Sequence, residues 1–191
     1  MVEFERVTIC SRAEWRAWLA ANYERTESIW LVTYKKRSGL PYVSYDAVVE
    51  EALCFGWIDS RPNKLDEQRT MLLLSPRRSG SPWSKINKER VARLIEGGLM
   101  TPAGLAKIER ARADGSWSVL DDVEMLVVPD DLATALANDP LAQRYFEAFG
   151  PSSKKGILQW IKSAKRQETR EKRIAQTVEL AAQNIKANYP Q

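Results

Sequence analysis

The sequence predicts an α+β protein, with a small antiparallel sheet and helices in the N-terminal half and a helical C-terminal half. Three observations carry this. Runs rich in β-branched and aromatic residues, Ile29 to Lys35, Trp57 to Arg61 and Arg69 to Ser75, all fall in the first 75 residues. The last two are joined by the polar stretch Pro62 to Gln68, which reads as a turn between antiparallel strands. From Ser84 onward apolar residues recur at helical spacing between Gly and Pro punctuation. A chain of 191 residues suits an α+β lobe over residues 1–98 with a helical lobe over 99–191 packed on it, or one domain.

The elements follow in order. Ser11 to Glu14 has capping-box spacing, and Trp15, Trp18 and Leu19 place a helix running to about Tyr23. The strand Ile29 to Lys35 is closed by Ser38-Gly39-Leu40-Pro41. Ser44 caps a helix with Val48, Ala52 and Phe55 on one face, stopped by Gly56. After the two strands and the loop Ser79 to Pro82, Ser84 caps a helix carrying Val91, Leu94 and Ile95, ended by Gly97-Gly98. Pro102 opens the next helix, which ends near Gly115. Trp117 to Val128 reads as an extended connector, and Pro129-Asp130-Asp131 and Pro140 open two more helices. Gly150-Pro151 precedes a helix with Ile157, Trp160, Ile161 and Ala164, and a last helix carries Ile174, Val178, Ala181 and Ile185. The polar run Lys165 to Arg173 between them is a break or an exposed turn.

The chain contains no histidine, which removes the usual general base, the Ser-His-Asp and Cys-His constellations and most zinc sites. Cys10 and Cys54 lie far apart without CxxC spacing and read as free thiols. No metal or cofactor is expected. Met1 to Arg16 lacks the apolar core of a signal peptide and no run reaches the ~20 residues of a membrane span, so a cytoplasmic location is expected. These absences favour a binding protein over an enzyme.

Charge is the clearest chemical signal. Pro76 to Arg93 and Lys154 to Arg173 are strongly basic, although the net charge is only +4. Arg77 and Arg78 precede the Ser84 N-terminus, whose free N–H groups suit a phosphate or carboxylate. The competing reading pairs them with surface carboxylates. Trp83, beside Pro82, is expected to be partly exposed, whereas Trp15, Trp18, Trp30, Trp57 and Trp160 read as core anchors. Lys162, Arg166, Arg170 and Arg173 would form one stripe on an unbroken helix, fit for nucleic acid or acidic headgroups, or simply solvated. The six acidic residues of Asp114 to Asp131 either neutralise the basic segments or face a cationic peptide. Glu51 and Asp59, with Glu50 nearby, meet Lys35 or Lys36 in an acid cluster able to transfer protons, or form salt bridges at a sheet edge.

Five segments carry a resemblance: Trp30 to Lys36 (WLVTYKK), Glu51 to Ser60 (EALCFGWIDS), Pro76 to Asn87 (PRRSGSPWSKIN), Trp160 to Arg173 (WIKSAKRQETREKR) and Trp117 to Leu136 with its VPDDLATAL. In this order they resemble the bacterial YdeI/OmpD-associated, or bacteriocin-protection, family. The resemblance implies a role in tolerance of bacteriocins or cationic antimicrobial peptides and carries over no catalytic residues. One departure is Gln167, where relatives often have proline.

The expected function is a cytoplasmic, non-enzymatic stress-tolerance protein. It binds an anionic small molecule or acidic protein surface through a groove near Arg77, Arg78, Trp83, Ser84, Asn87, Lys165, Arg166 and Arg170. Nucleic-acid binding is the less favoured binding class, and a histidine-free enzyme using Glu51, Asp59 and Lys35 is the remaining alternative.

Overall fold

The computed structural model describes residues 4–188, so the first three residues of the leader reading lie outside it. The chain divides into two compact units, one ending at Val119 and one beginning at Leu120.

The first unit holds a four-stranded sheet built from β1 (Arg6–Thr8), β2 (Ile29–Tyr34), β3 (Trp57–Lys64) and β4 (Arg69–Pro76), in the order β1-β2-β4-β3. The β2-β4 and β3-β4 pairs are antiparallel, as expected, whereas β1 pairs parallel to β2, so the sheet is mixed. Parallel pairing needs a crossover, and α1 (Arg12–Asn22) supplies it. Strand β3 extends to Lys64, with a bulge between Asp59 and Pro62. As an edge strand it tolerates a proline in its ladder.

Helices α1, α2 (Tyr45–Cys54), α3 (Lys85–Glu96) and α4 (Pro102–Ala113) complete the unit. Each is capped by a hydroxyl: Ser11, Ser44, Ser84 and Thr101 accept from the N–H of Glu14, Ala47, Asn87 and Gly104. The core joins Trp15, Leu19, Leu31, Val48, Leu53, Trp57, Leu74, Trp83 and Val91. Ile108 and Ala111 of α4, a helix the sequence reading assigns to the helical lobe, belong to the same core. Helix α4 approaches α2 closely because Gly104 has no side chain. A Cβ there would lie 2.2 Å from the Cys54 carbonyl oxygen.

The second unit is helical: α5 (Asp121–Glu124), α6 (Asp130–Ala137), α7 (Pro140–Ala148), α8 (Pro151–Lys162) and α9 (Gln167–Ala182). The expected extended connector is not extended. Asp121 and Asp122 sit at the favourable N-terminus of α5, and Leu120, Val123, Leu126 and Val128 pack into the unit's own core with Leu132, Phe146, Ile157 and Ile161. The break between α8 and α9 covers only residues 163–166, and most of the polar run, from Gln167 to Arg173, is the first part of α9. Gln167 takes the first helical position, where proline also fits. No helix among the described residues is long and apolar enough to cross a membrane.

Candidate functional site

An open pocket of about 760 Å³ lies in the first unit, where the end of β4 meets the first turns of α4. Its polar wall includes Arg25, Arg77, Arg78 and Lys107, with Glu24 as the lining acid, and its apolar wall includes Tyr23, Phe55, Ala103 and Ala106. Gly56 organises this wall. Its carbonyl accepts the Arg77 N–H at 2.9 Å, continuing the β3-β4 pairing by one residue. On its other side runs the Lys107 stem, and a Cβ on Gly56 would lie 2.6 Å from Lys107 Cγ. With φ of +76° as well, the position favours glycine.

Arg77 lies inside the fold and not at its surface. It is 2% exposed, with its guanidinium 3.8 Å above the Trp83 ring. Trp83 is itself 1% exposed, which corrects the expectation of a solvent-facing indole. Trp83 packs on Trp117 with ring centroids 5.0 Å apart, and Arg112 lies over the far ring. Arg77 Nη1 donates to the carbonyls of Pro82 at 3.0 Å and Ser81 at 3.3 Å, whereas Nε and Nη2 find no hydrogen-bond partner. Among the described residues no carboxylate pairs with Arg77 within 4.0 Å. Burial therefore holds its pKa down to about 10, and the charge of Asp59 pulls it only partly back. Arg78 is exposed and Lys107 half-buried, and among the described residues neither side chain has a hydrogen bond or ion pair.

Ser84 and Asn87 serve the helix instead. The Ser84 hydroxyl accepts from Asn87 N–H, and Asn87 Oδ1 accepts from Arg90. Neither lines the pocket.

Glu51, Asp59 and Lys35 each have separate partners, and no hydrogen bond or ion pair joins any two. Glu51, 3% exposed, accepts from Arg12 Nε and Arg16 Nη1, both at 2.6 Å. These bonds, first among the influences on Arg16, raise that guanidinium's pKa. Asp59 accepts from the Tyr45 hydroxyl at 2.6 Å; burial, and then this carboxylate, pushes the phenol up to about 12. Lys35 Nζ donates to the backbone carbonyls of Asp66 and Glu67. Cys54 is a buried free thiol raised by desolvation, and Cys10 is exposed and also free.

Two family profiles match the chain: residues 7–107 match a domain of unknown function (DUF8412), and residues 125–184 match the family described as Bacteriocin-protection, YdeI or OmpD-Associated. The chain belongs to the family of unknown function, whose match covers more than half of the sequence. The match to the YdeI/OmpD-associated family covers under a third of it. No curated protein and no solved structure matches the chain.

The second unit uses most of its basic stripe internally. Lys162 pairs with Asp122, and Arg170 forks onto Asp131 at 2.6 and 2.8 Å. Lys155 reaches Glu124 at 2.6 Å, and Arg173 bonds the Trp160 carbonyl and stacks on its ring. The hydrogen bonds from Lys162 and Arg170 hold both aspartates below the usual carboxylate range. The acidic stretch thus neutralises the basic one. Of the proposed site residues in the second unit, Lys165 and Arg166 are exposed, and among the described residues their side chains have no partner. Residues the sequence reading missed are Lys107, Tyr23 and Phe55. They reach the pocket only through the approach of α4 and the end of α1 to Gly56, which no local pattern encodes.

Proposed function

We propose that this protein is a cytoplasmic, non-enzymatic anion-binding protein acting in bacteriocin or cationic-peptide tolerance, with its ligand held in the Arg77 pocket. One observation carries the reading: a fully buried arginine without a counter-ion lines a pocket together with two unpartnered cations. A buried charge is costly unless paired, so an oxyanion in the pocket supplies the missing partner. The family match supports the tolerance role.

Thermal melting in phosphate against chloride at equal ionic strength tests this. Near 100 times the dissociation constant, binding adds about 2.7 kcal/mol, which raises Tm by roughly 5 °C or more. The double variant Arg78→Ala/Lys107→Ala should lose most of the rise. Identical curves in the two salts would remove the proposal.

Nucleic-acid binding is less well supported because the C-terminal stripe is largely paired. With Arg166 its remaining cation and Lys165 the free neighbour beside it, oligonucleotide binding there should show a log K against log salt slope no steeper than about −2. A filter-binding slope near about −3.6, the value for four phosphates, would restore the nucleic-acid reading.

A further inference from the structure

Beside the large pocket lies a small, more enclosed chamber lined by Arg77, Arg78, Ser79, Trp83, Lys107, Arg110, Ala111, Asp114 and Ser116. Among the described residues, the buried side-chain donors without a partner are Arg77 Nε, Arg77 Nη2 and Trp83 Nε1, and both residues line this chamber. Nε–H and an Nη2–H lie on one edge of a guanidinium and point the same way, forming the fork that grips two oxygens of a carboxylate or phosphate. The remaining nitrogen, Nη1, is fastened to the Ser81 and Pro82 carbonyls, so the guanidinium plane is fixed while the fork is unspent.

Arg77, Arg78, Ser79 and Lys107 line both the pocket and the chamber. The chamber holds only about 10 Å³, less than an oxyanion fills, so an oxyanion on the fork requires Arg78 and Lys107 to move aside, and among the described residues neither side chain has a hydrogen bond or ion pair to lose. Arg25, the other cation of the pocket, is already paired with Glu5 at 2.7 Å. Three uncommitted positive charges exceed what a carboxylate neutralises and suit a phosphate monoester, which carries about −1.5 to −2 near neutrality. A phosphate group alone also leaves most of the ~760 Å³ unfilled, next to Tyr23, Phe55, Ala103 and Ala106.

We propose that the ligand is a phosphate monoester with a planar apolar body, its phosphate on the Nε/Nη2 fork of Arg77 and its body along Tyr23 and Phe55. The inference rests on the anion-binding reading above and specifies its ligand class. Isothermal titration of the full chain with inorganic phosphate, phenyl phosphate and benzoate tests it. Phenyl phosphate is expected to bind at least tenfold tighter than either of the others. In Tyr23→Ala, which removes a half-exposed ring, that advantage should fall threefold or more while inorganic phosphate binds as before. Phosphate binding without a phenyl advantage, or an advantage untouched by Tyr23→Ala, overturns the aromatic body and leaves the anion site standing. Benzoate equal to phenyl phosphate overturns the phosphate head. Failure of all three probes overturns both the ligand class and the anion-binding reading.

Discussion

Arg77→Met should abolish the response to phenyl phosphate and leave the ligand-free protein within about 1 kcal/mol of the parent, because the opposing terms nearly cancel. Holding the guanidinium charged against a pKa lowered to about 10 costs the fold on the order of 3 kcal/mol. Against this stand the Nη1 hydrogen bonds to the two carbonyls, about 1 kcal/mol each, and the contact with the Trp83 ring, about 2 kcal/mol. Methionine fills the stem's volume and retains a favourable sulfur contact with the indole. With ligand near 100 times its dissociation constant, the parent gains about 2.7 kcal/mol in urea denaturation and the variant gains nothing. A loss of about 3 kcal/mol without ligand would make Arg77 a strut of the fold. Arg77→Lys retains the charge without the fork, and should still lose more than about tenfold in affinity.

Glu51→Ala should cost about 3 kcal/mol in chemical denaturation, the largest loss expected from a single charged side chain here. The buried carboxylate ties α2 to two arginines of α1, and Arg16 Nη2 carries the tie onward to the Leu99 carbonyl at 2.9 Å. Its removal leaves two guanidinium groups without their main acceptor and opens a hole beside Cys54. Both arginines are about 40% exposed and can regain water, so the loss falls at the lower end of the range for a broken buried pair. The histidine-free enzyme reading predicts the opposite, loss of turnover at unchanged stability. Stability within 0.5 kcal/mol of the parent (~0.5 is typical of neutral surface changes) would restore that reading.

The features legible in the sequence are those set by neighbours along the chain. Ser11, Ser44 and Ser84 cap the expected helices because a hydroxyl needs only the N–H three residues on. Gly56 and Gly98 stop helices because both adopt positive φ. Trp83 was open to a better reading: it directly precedes the Ser84 cap, a position where an apolar residue often packs inward, and that signal outweighs its basic neighbours. The parallel placement of β1 depends on register with residues more than 20 positions away, and α5 on burial of Val123, so neither appears in a local pattern.

By itself the sequence determined the α+β class, the helix ends, the absence of histidine chemistry and the basic segments. Tertiary structure alone decided which cations are spent. Arg170 and Lys162 meet Asp131 and Asp122 across about 40 residues of chain, whereas Arg77 is folded onto Trp83 beyond the reach of any such partner. The reason is physical: composition fixes how many charges a chain carries, but the energy of each depends on its dielectric surroundings and counter-ions at distances of a few ångströms, which only the fold sets.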